Sequence, residues 1–192
     1  MKKRAVMAAM VAALVLSQAT TAFAAGSDSA GGSARVNVDN EISITLNGNT
    51  TTPNYGGEAS NGSTSVAFVK GETHAVAGLP NGIVDTINAI NRNKADLANV
   101  GTGLDLKGYN ALIGTHAIMT YQAGTKVEKT GDVSIDLYVP NLVDGLGDVE
   151  VLFYNNMTGR WQLIKPASVN TKTKVVTVTI PNSGTISVIY KK

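Results

Sequence analysis

The chain has no cysteine. That excludes a disulfide framework, a thiolate metal site and a thiol nucleophile. Aromatic residues are scarce too, with one Trp, three Phe and six Tyr in 192 residues. A glycosidase cleft lined with stacking rings is therefore not expected. Histidine occurs twice, at His74 and His116, with no HExxH spacing and no GxSxG elbow. This argues against a catalytic zinc and against a hydrolase nucleophile turn. No apolar run approaches the roughly 20 residues of a membrane-spanning helix.

What the first residues do contain is a leader pattern. Met1-Lys-Lys-Arg4 is basic, Ala5 to Leu16 is apolar, and Ala22-Phe-Ala24 ends in small residues. A signal peptide over 1–24 is expected, leaving 168 residues after cleavage, enough for one domain with a real core. Three of the 16 basic residues (Lys2, Lys3, Arg4) fall in the leader and all 14 acidic residues fall after it. The formal charge of +2 thus becomes 13 basic against 14 acidic groups, and no basic patch remains to hold nucleic acid. No cofactor is implied, and no membrane span is expected after removal of the leader.

Residues 25–34 (AGSDSAGGSA) have nothing to bury and read as a flexible spacer. Period-two text begins at Arg35, with Val36 and Val38, then Ile42, Ile44 and Leu46. Asn47 to Ser63 reads as a long polar loop, and Thr64 to Val69 as a short strand. Ile83, Val84, Ile87 and Ile90 form one stripe at helical spacing, with Asn81 or a neighbour as the cap. Lys94 to Gly114 reads as short helical turns and loop. From Thr115 onward short alternating segments separated by Gly, Asn and Pro predict five or six strands. The expected architecture is mainly β: an antiparallel β-sandwich over 35–192 with a helical insertion at 79–114.

The aromatic signal lies in Val149 to Ile164 (VEVLFYNNMTGRWQLI). Alternation puts Val149, Val151 and Phe153 on one face and Glu150, Leu152 and Tyr154 on the other. Gly159 suits a left-handed turn position, and the return strand brings Trp161 beside Phe153 or Tyr154 as a cross-strand pair. A packing role for Trp161 is favoured, because an indole buries roughly 150–250 Å². The alternative is sugar stacking by Trp161, Tyr154 and Tyr138, which requires these rings to stand exposed.

The stretch from Asp132 to Tyr190, with a strand ending in Pro140, the Tyr154 to Trp161 hairpin and a closing strand, resembles a β-sandwich module near the C-terminus of many bacterial surface and secreted proteins. It is similar, more distantly, to the β-sandwich of ankyrins and netrin receptors. Some of those cleave themselves at a His-Phe-Ser step; here Pro181-Asn-Ser-Gly184 lacks the His and the Phe, so self-cleavage is not implied. The resemblance implies an extracellular, scaffold-like or adhesive setting.

Other chemistry is weighed residue by residue. His116, Ser134 and Asp136 could compose a hydrolytic triad, which geometry alone decides. Asp144 and Asp148, with Asp132 upstream, could offer oxygens to calcium, although the loop lacks the Asp/Asn alternation of an EF-hand. Asn-X-Ser/Thr triplets at Asn49, Asn61 and Asn156 read as polar loops. With no LPxTG and no second apolar span, association with the envelope is expected to be non-covalent, or the protein is released. The expected function is a secreted, non-enzymatic structural or interaction module, cell-surface associated or adhesive, with a protein or envelope polysaccharide as partner. The alternatives are a carbohydrate-binding module and a small hydrolase.

Overall fold

The computed structural model describes residues 42–54 and 57–191. The leader at 1–24, the spacer at 25–34 and the strand text from Arg35 to Glu41 lie outside the described residues. The elements are β1 (Ser43–Leu46), β2 (Asn49–Thr51), β3 (Ala59–Ser60), β4 (Thr64–Phe68), α1 (Glu72–Ala75), α2 (Asn81–Arg92), β5 (Tyr109–Ala111), β6 (His116–Gln122), β7 (Val133–Tyr138), β8 (Asp148–Asn155), β9 (Arg160–Ile164), β10 (Ser168–Asn170), β11 (Val175–Ile180) and β12 (Gly184–Lys191).

Two antiparallel sheets pack together. The smaller runs β10-β11-β7-β1-β2, and the larger β3-β4-β6-β12-β8-β9, with β5 joining β6 along one edge of β12. The β-sandwich expectation holds. The space between the sheets is filled from both sides: Ile44, Ile135, Leu137, Val176 and Val178 meet Val66, Ile118, Val151, Phe153, Ile186 and Val188. Period two explains the smaller sheet, since β7 alternates buried Val133, Ile135 and Leu137 with outward Ser134, Asp136 and Tyr138.

The larger sheet obeys a different rule, because both of its faces are covered. Leu152, Tyr154, Trp161 and Ile189 point away from the sandwich interior and pack under Ile87 and Ile90 of α2 and Leu97, Val100 and Leu106 of the loop that follows. Strands β8 (from Val151 to Asn155) and β12 (from Gly184 to Ile189) are accordingly buried on both faces, with the small polar Thr185 and Ser187 buried beside Ile186 and Val188. Thr86 Oγ1 ties α2 to this loop by donating to Gly82 O and Gly101 O, and Asn91 pins its far end to Thr115.

Several expectations need correction. The cap of α2 falls within the expected Leu79–Gly82 stretch, on Pro80 rather than Asn81; it makes no side-chain bond, and Asn81 is the first helical residue. The stretch 94–114 contains strand β5 rather than helical turns. Residues 47–63, expected as loop, hold β2 and β3; Asn47 and Gly48 both have positive φ (50° and 80°) and make a tight hairpin turn. His74 lies in the short helix α1 and is exposed. Among the described residues no helix is long and apolar enough to cross a membrane.

Candidate functional site

The structure settles the aromatic hairpin first. Tyr154 and Trp161 are direct cross-strand partners, with ring centroids 5.3 Å apart and planes tilted by 55°. Gly159 turns the hairpin at φ 65°. Trp161 is 6% exposed and Tyr154 3%. The pair is packing, as favoured, and its rings hold the helical segment to the back of the larger sheet. Tyr138 lies on the smaller sheet, far outside that cluster. The three rings proposed for stacking therefore form no common exposed row.

The hydrolytic constellation is not assembled either. Ser134 and Asp136 stand on the outer face of β7, whereas His116 lies on β6 of the other sheet with its ring edge-on to Phe68 at 5.9 Å. Asp136 instead accepts a hydrogen bond from Thr177 Oγ1 at 2.7 Å. Asp144 accepts from Thr171 Oγ1. Among the described residues no three His, Asp or Glu side chains are grouped so as to hold a metal ion.

What the register does bring together is a polar row across the smaller sheet. Ser168 pairs with Thr177, Thr177 with Asp136, Asp136 with Thr45, and Thr45 with Thr50, one residue from each of five strands. Cross-strand spacing of about 4.8 Å makes this row about 19 Å long. Three of its links are hydrogen bonds: Ser168 Oγ donates to Thr177 Oγ1 at 3.0 Å, Thr177 Oγ1 to Asp136, and Thr45 and Thr50 share one at 2.8 Å. The next row holds Asn170, Val175, Tyr138 and Ser43, and Thr179 faces Ser134 on the other side. Every side chain here sits at the outward position of its strand, so the interior pattern that builds the core also lays out this face. Sequence reading passed over Thr45, Thr50, Ser168 and Thr177. The available signal was the alternation in Val175 to Ile180, where Thr177 and Thr179 interleave with buried Val176, Val178 and Ile180.

A second polar feature lies at one end of the sandwich. The turn before β4 (Gly62, Ser63) and the connection after β6 (Gln122, Ala123, Glu128 to Thr130) enclose an open groove of about 470 Å³. Lys129 Nζ donates to Thr64 Oγ1, and Thr120 Oγ1 closes the connection by donating to Lys129 O at 2.8 Å. Nearby, Tyr121 donates its hydroxyl to Glu58, and Lys126 lies 3.7 Å from Glu58 and 4.7 Å above the Tyr121 ring. Burial and this bond hold the Tyr121 phenol above its ordinary value, and the same bond holds the Glu58 carboxyl below its own. A similar pair, Tyr109 donating to Glu150, joins β5 to β8 across β12. No family model matches the chain, and neither a curated protein nor a solved structure matches it.

Proposed function

We propose that this protein is an exported, non-enzymatic interaction module working outside the cell or at its surface, and that its contact surface is the outer face of the five-stranded sheet. The row from Ser168 through Thr177, Asp136 and Thr45 to Thr50 carries this reading. The back of the larger sheet is taken up by α2 and its loop, so among the described residues the smaller sheet offers the broad uncovered face. Hydroxyls, one carboxylate and a half-buried ring make a surface that exchanges hydrogen bonds with water or partner at little cost. The leader pattern supports export, and the separation of His116 from Ser134 and Asp136 supports a role without catalysis.

A polysaccharide partner is the second reading, and Tyr138 favours it by standing on this same face beside Ser43 and Val175. The test is retention on a washed cell-envelope fraction by the unaltered protein and by the double variant Thr45→Lys, Thr177→Lys. Retention is expected to fall at least tenfold in the variant. Equal retention of both, or none by the unaltered protein, overturns the reading. Adding Tyr138→Ala separates partners: a further loss on purified envelope polysaccharide indicates stacking on sugar.

A further inference from the structure

The larger sheet ends on a strand whose outer edge no strand among the described residues pairs. β9 (Arg160–Ile164) is bonded to β8 on one side only, residue for residue and without a bulge. In an antiparallel ladder every second residue turns its N–H and C=O to the other side, so β9 offers a row of unpaired groups there. The other terminal strands are blunted. β2, β3 and β10 have only two or three residues each. Asn49 Nδ2 of β2 also donates to Ser60 O of β3 at 2.7 Å, tying those two edges together. β9 has five residues, with no Pro and no Lys among them, and Gln162, Leu163 and Ile164 are half-buried. The edge stops at Pro166, just beyond.

We propose that this edge pairs with the same edge of a second copy, antiparallel about a two-fold axis through Gln162, so that the two larger sheets run on as one. The sequence of the strand selects a copy of itself. About that axis Trp161 faces Leu163 of the second copy, and both belong to the apolar side packed under α2. On the other side Arg160 lies across from Ile164, which packs on the apolar stem of the arginine. Gln162 meets Gln162, and their amides can bond each other. No charge faces a like charge. Moving the axis to a neighbouring residue slides the strands by two and keeps the faces matched, but it leaves only three of the five residues paired. The axis at Gln162 alone engages the whole strand. So short an edge falls below the roughly 1,200 Å² of standard interfaces, so the dimer is reversible, with a Kd on the order of 10–100 μM. The face proposed for function lies on the other sheet, so either reading fails without the other.

The experiment is sedimentation velocity of the whole protein from about 5 μM to about 1 mM, with amide-resolved NMR spectra at both ends of that range. The unaltered protein is expected to pass from monomer to dimer, with the amides of Arg160 to Ile164 shifting as it does. Gln162→Lys and Gln162→Glu each set like charges at the axis and are expected to weaken association roughly tenfold or more. An equal mixture of the two sets opposite charges there and is expected to restore it, which damage to the fold cannot do. The concentration-dependent shifts of the unaltered protein decide even where a variant folds poorly. A monomer at about 1 mM, shifts confined to other strands, or association of both variants as tight as that of the unaltered protein overturns the proposal. So does a mixture of folded variants that stays monomeric. A monomer whose retention on the envelope falls in Gln162→Lys overturns it in favour of a foreign strand at this edge.

Discussion

Substituting Gly184 by Ala is the sharpest test of how the larger sheet is built. Gly184 opens β12 and pairs on one side with Ile118 and on the other with Asn155. A Cβ there would lie 2.2 Å from the backbone oxygen of Tyr154 and 2.5 Å from Cζ of Phe153. The ring could turn aside, but the carbonyl belongs to β8 and is held in the ladder. Relief therefore requires β8 or β12 to move within a packed core. Overpacking of this kind costs about 1–3 kcal/mol, and a backbone obstacle places Gly184→Ala near about 3. For a domain of this size that lowers Tm by roughly 6–12 °C. Gly62→Ala is the control: no atom lies within 4 Å of its Cβ, and only its φ of +88° opposes the change, at about 1 kcal/mol. Thermal unfolding followed by circular dichroism measures both. A loss under 1 kcal/mol for Gly184→Ala, or a larger loss for Gly62→Ala, refutes the close approach.

Three further outcomes are expected. Trp161→Ala should cost about 3–5 kcal/mol, and the indole of the unaltered protein should resist quenching by iodide; ready quenching would place it in solvent. Asn155→Ala removes the oxygen that accepts from Met157 N, Thr158 N and Asn182 Nδ2, and should cost about 2–3 kcal/mol in urea unfolding at unchanged slope. Asn155→Asp keeps the acceptor and should cost less. The hydrogen bond to Glu150, with burial, pushes the Tyr109 phenol up to about 12, so an ultraviolet titration should find it there and find it lower in Glu150→Gln. Because the folded value is raised, its contribution to stability is complete below pH of about 10 and is lost as pH rises toward about 12.

Legibility followed burial. Strands with one wet face announced themselves: β7 and β11 alternate cleanly, and their outward residues were readable as a set once the register was known. Helix α2 was visible as a stripe because Ile87 and Ile90 press on a single surface. Trp161 was readable as a cross-strand partner of Phe153 or Tyr154, and only the register selects Tyr154, but the layer the pair serves was not readable. Period two tells which residues share a face, not what covers that face. The segment from 94 to 114 failed for a related reason. Leu97, Val100 and Leu106 are buried by irregular backbone, which has no period to detect. Strands β2, β3 and β10, of two or three residues, are too short to show a pattern, although Asn47-Gly48 between alternating residues was a usable sign of the β1–β2 turn. The groove was invisible, since turns distant in the chain form it.

The position of β12 has a consequence for how the polypeptide is made. It pairs with β5, β6 and β8, all of which precede it in the chain. A ribosome that has delivered everything up to Asn182 has delivered two half-sheets with no spine between them, and their apolar edges must wait. Non-local closure of this sort slows assembly and keeps the emerging chain loose until its final strand is out. Under the proposed export, a polypeptide threaded through a pore before folding would benefit from that delay.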